Sequence, residues 1–152
     1  MKARIEKGDI VLVNKIGKYH NQVGEVSAVD YNIFFVKIVM VKLGNQEEAF
    51  EEKDLKLQIK KPSIKEVIAS IDKILEQVEH IGLPTKEQVE LPNRLKYFKL
   101  DITKLDKQLI QKNFDSIDKI FAVAREADSS AKFWQEIDSN LEKISWWLRA
   151  SL

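Results

Sequence analysis

The spacing of apolar residues changes once along this chain, near Lys60, and that change limits what it can fold into. Before it lie four of the five glycines, Gly8, Gly17, Gly24 and Gly44, and most of the valines. Glycine supplies turns and positive φ, so glycines set this closely predict several short strands. After it come all three prolines, Pro62, Pro84 and Pro92, and apolar residues at steps of three and four, the helical period. The boundary falls at Lys60-Lys61-Pro62, where proline cannot continue a strand ladder. The expected class is α+β, with a β-domain over 1–60 and an α-helical domain over 61–152.

In the first half, Asp9–Val13 reads as a strand, Lys15–Asn21 as a polar loop, and Gly24–Val29 as a second strand ending in an Asp30-Tyr31-Asn32 turn. Ile33–Leu43 is expected as the longest strand, closed by Gly44-Asn45. Segments around Glu48–Phe50 and Lys56–Ile59 make five antiparallel strands, and closure into a small barrel removes the sheet edges. Alternation along the long strand puts Ile33, Phe35, Lys37, Val39, Val41 and Leu43 on one face and Phe34, Val36, Ile38, Met40 and Lys42 on the other. Both faces are apolar, so the outer one needs a cover: either the helical half packs on it, or it is a docking patch for another protein.

The second half opens with Ser63-Ile64-Lys65-Glu66, a capping box just after Pro62. Ile64, Val67, Ile68, Ile71, Ile74, Leu75 and Val78 then form one stripe, which Gly82 and Pro84 stop. Thr85-Lys86-Glu87-Gln88 is a second start signal, interrupted by Pro92. From Asn93 a stripe runs through Leu95, Phe98, Ile102, Leu105, Leu109, Ile110, Phe114, Ile117, Ile120, Phe121 and Ala124. It forms either one long helix or two broken at Asn113 and Asp115. Asp128-Ser129-Ser130 marks a break, and the last helix carries Phe133, Trp134, Ile137, Leu141, Ile144, Trp147 and Leu148. Three or four such helices are expected as an antiparallel bundle packed against the barrel.

Composition removes most chemistry. With no cysteine among 152 residues there is no disulfide, no thiolate nucleophile and no cysteine-ligated zinc. The longest apolar run, Ile120–Ala124, falls far below the roughly 20 residues of a membrane helix. Met1–Ile10 carries Lys2, Arg4, Glu6, Lys7 and Asp9, so no signal-peptide core is expected there. The expectation is a soluble cytoplasmic protein without membrane insertion. No glycine-rich phosphate loop, nucleophile elbow or paired-histidine zinc helix occurs. His20 reads as a polar loop residue, and His80 as a helix-end cation, with Gln77 where a di-iron motif needs Glu. Asp101 with Asp106, and Asp115 with Asp118, read as solvated helix surface beside lysines. No catalytic residue, metal or cofactor is therefore expected, and the chain reads as a non-enzyme.

The formal charge is +1, from 25 basic and 24 acidic residues, but it is unevenly spread. Residues 1–46 sum to +3, residues 47–54 to −4, and residues 61–152 balance at 15 against 15. Nucleic-acid binding needs a concentrated positive field, and its candidates are Lys15, Lys18, Lys37 and Lys42. For protein contacts the candidates are Lys15, Lys18, Tyr19, His20 and Asn21 in the first loop. Trp146, which points away from the last helix's stripe, is either a second such surface or packs on the barrel.

Three segments carry a resemblance: Lys7-Gly8-Asp9-Ile10-Val11-Leu12-Val13; Tyr19-His20-Asn21-Gln22-Val23-Gly24-Glu25-Val26 with Val29-Asp30; and Phe50-Glu51-Glu52-Lys53-Asp54-Leu55. Together they resemble an SH3-like barrel of the KOW type over residues 7–58. They are also similar to the small barrel subunits of photosynthetic complexes, of the photosystem I reaction-centre subunit IV type. The helical half resembles neither. The resemblance implies a non-enzymatic binding module: an adaptor or assembly protein with a protein partner or, as the alternative, a nucleic-acid- or ribosome-associated protein.

Overall fold

The computed structural model describes residues 4–83, 85–104, 106–127 and 134–151, with the backbone alone at Ala127. They form two compact units, one of residues up to Lys61 together with those from Arg149 on, the other of Pro62–Leu148.

The first unit holds β1 (Ile10–Val13), β2 (Val23–Tyr31), β3 (Lys37–Leu43), β4 (Gln46–Glu51) and β5 (Leu55–Ile59), with a 3-10 turn at Glu52–Asp54. The strands pair antiparallel in the order β4-β3-β2-β1-β5. The expected barrel closure does not occur. The Glu52–Asp54 turn carries the chain away from β4, so β5 pairs with β1 and both β4 and β5 remain edges. Period-two alternation still sorts the side chains: Ile5, Val11, Val13, Val26, Val39, Val41, Leu43, Phe50 and Leu55 make one buried cluster. Gly24 permits the closest crossing, because a Cβ there would lie 2.2 Å from the Lys42 carbonyl oxygen on β3.

A buried carboxylate ties the unit's two ends together. Asp9 is 0 % exposed, and it accepts from Glu6 N–H (2.8 Å), Lys61 N–H (2.8 Å) and Lys60 Nζ (2.9 Å). Its position just before β1 thus fixes both the N-terminal turn and the chain leaving β5.

The long strand differs from expectation at its start. Residues 33–36 belong to the turn between β2 and β3, and β3 begins only at Lys37. The cause is Asn32, whose side-chain oxygen accepts from Phe34 N–H (2.9 Å) and Val36 N–H (3.0 Å), drawing those donors away from a ladder. Ile33, Phe34, Phe35 and Val36 therefore form the hairpin tip, and of the supposed outer strand face only Ile38, Met40 and Lys42 remain.

The second unit holds α1 (Ile64–Val78), α2 (Thr85–Lys104), α3 (Lys107–Ala127) and most of α4 (Trp134–Ser151). Ser63 caps α1 by accepting from Glu66 N–H at 3.2 Å. Pro92 does not interrupt the second helix: α2 runs through it from Thr85. The following break lies at neither Asn113 nor Asp115 but between Lys104 and Lys107, where the Asp106 carboxylate accepts from Leu109 N–H at 3.1 Å. Asp106 answers the unpaired donors of the α3 N-terminus, whereas Asn113 and Asp115 fall inside that helix. Helices α2 and α3 fold back on one another, with Phe98 against Phe114 (centroids 5.9 Å apart) and Lys99 Nζ 2.8 Å from Asp72 of α1. Phe121 meets Trp134 edge-on, and Arg125 lies over the Trp134 ring and pairs with Asp138. The expected cap at Asp128-Ser129-Ser130, with Pro84, Leu105 and Phe133, lies outside the described residues. Among the described residues, no helix is long and apolar enough to cross a membrane.

Candidate functional site

The first-loop candidates stand together between β1 and β2, and Asn21 in the left-handed region (φ 65°) helps close their loop. Its N–H donates to Val13 O at 2.9 Å. Lys15, Lys18, His20 and Asn21 are exposed. Tyr19 has a structural task instead: its ring packs edge-on to Phe50, centroids 6.4 Å apart. Its hydroxyl donates to Gln46 Oε1 (2.8 Å) or Glu48 Oε1 (3.0 Å), and Lys18 Nζ lies 5.2 Å from the ring centre. Phe50 and Lys18 thus already cover part of the ring, which reduces what it offers a stacked base.

The four lysines of the nucleic-acid reading do not gather. Lys37 points toward the core side of β3, donates to Ile5 O at 2.6 Å and pairs with Glu52. Lys42 lies on the opposite face, in register with Glu25 on β2 and Glu47 on β4. Lys15 and Lys18 remain in the first loop. Trp146 is half-buried in α4, while Trp147 beside it is buried. Asp101 corrects the reading of solvated carboxylates: it is 8 % exposed and accepts from Asn113 Nδ2.

Acidic groups near the N-terminal segment are paired, and their protonation follows from that. Lys61, 3.3 Å away, with Lys60 behind it, holds the Glu6 carboxyl below the ordinary range against the opposing effect of burial. At Glu52 burial works upward, but the Lys37 ammonium, Ile5 N–H and the charge of Arg4 outweigh it and hold that carboxyl low too. Among the described residues, no three His, Asp or Glu side chains are grouped to hold a metal ion.

Two surfaces unforeseen as sites stand out by what they expose. The first is the β2–β3 tip, where Ile33, Phe34 and Phe35 are 85 %, 76 % and 88 % exposed. The run Ile-Phe-Phe-Val was legible, but it fitted a strand equally well, and only the Asn32 side chain decides for a turn.

The second is the outer side of α2. Leu91, Leu95, Phe98 and Ile102 are buried, yet Val89, Tyr97 and Leu100 are each more than half exposed. At about 100° per residue these three fall within roughly 80° of arc opposite the buried side, an arc they share with Asn93, Lys86 and Lys104. Beside this second stripe a cleft of about 480 Å³ is lined by Arg94, Tyr97, Asp101, Leu109 and Asn113, among others. Arg94 is held by Glu90 one turn before it, Nε to Oε1 2.7 Å. Two apolar stripes on one helix cancel its amphipathic signal, which is why periodicity alone did not single out this face.

Comparison of the chain with family models, with curated proteins and with solved structures gives no match.

Proposed function

We propose that this chain is a non-enzymatic adaptor acting through protein–protein contacts, and that its helical unit docks an amphipathic helix of a partner protein. The observation that carries this reading is the outer stripe of α2, Val89, Tyr97 and Leu100, beside the α2–α3 cleft with Leu109 at its wall. A helix already buried on one side has no need of a second apolar stripe for its own fold. A groove flanked by two helices accepts a third by ridge-into-groove packing. The rim pairs Arg94–Glu90 and Asn113–Asp101 supply polar groups at the edge of such a contact. The resemblance of residues 7–58 to KOW-type SH3-like modules agrees with a binding role for the other unit.

The experiment compares the wild-type chain with Tyr97→Asp plus Leu100→Asp in affinity capture from native lysate after nuclease treatment. The reading expects a stoichiometric protein retained by the wild type and lost by the double variant, whose circular dichroism is unchanged. A partner retained equally by both refutes it. So does a salt-sensitive RNA gel shift abolished by Lys15→Ala plus Lys18→Ala, which would install the nucleic-acid reading.

A further inference from the structure

We propose that the β2–β3 hairpin tip docks the first unit on an anionic phospholipid surface, with Ile33, Phe34 and Phe35 reaching the acyl boundary and Arg4 and Lys7 meeting the headgroups. The contact is separate from the α2 surface and does not rest on it.

The tip is convex and its shape is fixed. Asn32 N–H donates to Val36 O (3.0 Å), Phe35 N–H to Asn32 O (2.9 Å), and Phe34 and Val36 N–H to the Asn32 side chain. Phe35 holds φ 60°, a conformation that side chains rarely adopt and that this network maintains. Four backbone donors of a five-residue turn thus have partners inside it. An apolar medium demands this of any backbone that enters it. This leaves fewer free donors at the tip for a protein pocket to recognise, beside three large exposed apolar side chains.

Behind the tip the chemistry changes in the order a bilayer interface does. Tyr31, half exposed, ends β2 opposite Lys37, and its hydroxyl lies 3.5 Å from Arg4 Nη2. An aromatic ring with a polar end suits the headgroup level. Only Asn32 and Ile33 separate Tyr31 from Phe34, so the ring stands directly behind the apolar tip.

At the hairpin's root a cavity of about 400 Å³ is lined by Arg4, Lys7, Lys37 and Lys61, with Glu6 its one carboxylate. Lys37 is committed to Glu52, Lys61 to Glu6, and the neighbouring Lys60 to Asp9 and Glu6. Arg4 and Lys7 are in no ion pair among the described residues, although Arg4 also feels the Glu52 charge. Two further carboxylates stand at this level of the sheet: Asp30, whose Oδ1 accepts from Tyr31 N–H at 2.8 Å, and Glu51, opposite Ile38 and paired with Lys53. Two available cations give a moderate preference for an anionic leaflet, about fivefold for each.

The test uses vesicle co-sedimentation with pure phosphatidylcholine and with phosphatidylcholine–phosphatidylserine mixtures. Wild type is expected to bind the mixed vesicles, and Phe34→Ser plus Phe35→Ser to weaken that binding at least tenfold. Arg4→Ala plus Lys7→Ala should erase the phosphatidylserine preference and the salt dependence. Both pairs of changes lie outside the buried cluster, and unchanged circular dichroism checks that they fold. Because the chain has no cysteine, Phe34→Cys carries a single environment-sensitive dye whose emission should shift to the blue on mixed vesicles. A dye at Lys18→Cys should not shift. Absence of vesicle binding overturns the proposal, as does binding indifferent to the tip variant. A blue shift at Phe34→Cys without vesicles would assign the tip to self-association instead. Tyr97→Asp plus Leu100→Asp should leave vesicle binding intact, so the adaptor reading can fail separately.

Discussion

Replacing Asp9 tests whether one buried carboxylate holds the first unit together. Asp9→Ala removes the acceptor of two backbone N–H groups, on Glu6 and Lys61, and of the Lys60 ammonium. Hydrogen bonds to a charged acceptor contribute about 1.5–3 kcal/mol each, and a donor left unpaired costs a similar amount. The Lys60 side chain is 44 % exposed and regains water, so its pair adds little. The two backbone donors therefore decide the size, roughly 3–6 kcal/mol. A unit of about 60 residues has roughly 3–9 kcal/mol of stability in all, so the alanine variant should sit near its unfolding limit. Asp9→Asn keeps one carbonyl oxygen for one of the two donors, and should cost about half as much. The tryptophans Trp134, Trp146 and Trp147 lie outside the sheet, so fluorescence is the wrong probe. Native-state hydrogen exchange at Val11, Val39 and Val41 is the right one, since those residues line the buried cluster. A loss below about 1 kcal/mol for Asp9→Ala would refute the argument. Equal losses for alanine and asparagine would show that charge, not the count of acceptors, carries the effect.

Acid should loosen the same unit. The Glu6 and Glu52 carboxyls are both held below their ordinary 4.5, so in acid the unfolded chain binds more protons than the folded one. Their contribution is complete above that value and fades as pH falls through the lower folded values; urea midpoints should fall there, and less steeply in Glu6→Gln plus Glu52→Gln. Gly24→Ala places a methyl 2.2 Å from the Lys42 carbonyl and should cost about 1–3 kcal/mol by chemical denaturation. Gly82→Ala meets nothing within 4 Å and should be nearly neutral, which separates crowding from a general intolerance of alanine for glycine.

How far the fold could be read depended on how local its causes are. Ser63 and Glu66 cap α1 three residues apart, and the valines of β1 and β3 alternate without ambiguity, so these elements were legible. The start of β3 was not, because Ile33–Val36 suits a strand by composition while Asn32, one residue earlier, captures its donors. The Lys104–Lys107 break was hidden in the same way: apolar steps continue through it, and only the Asp106 carboxylate marks the new N-terminus. Barrel closure was a matter of which edge β5 joins, a long-range choice that no single segment encodes. Of the site, the first loop was placed as a loop, but the second role of Tyr19, packing on Phe50, depends on a strand some thirty residues away.

The charges of this chain are arranged differently in space than along the sequence. In sequence, the basic stretch over residues 1–46 and the acidic stretch over 47–54 suggest two patches for an oppositely patterned partner. In space part of that charge is used within the sheet unit. Lys37 from the basic stretch meets Glu52 from the acidic one, and Glu6 and Asp9 meet Lys60 and Lys61. Pairs of this kind, partly buried and hydrogen-bonded to backbone, fix the N-terminal segment against the sheet, whereas Arg4, Lys7, Lys15, Lys18 and Lys42 are in no ion pair among the described residues. What the molecule presents in surplus is apolar: Ile33, Phe34 and Phe35 on a turn that pairs most of its own donors, and Val89, Tyr97 and Leu100 on a helix already buried on its other side. Burying such groups elsewhere is favourable by about 25 cal/mol per Å², with no demand on the sign of a partner's charge. Recognition by this chain should therefore depend more on apolar contact than on salt, with Arg4 and Lys7 adjusting the preference rather than creating it.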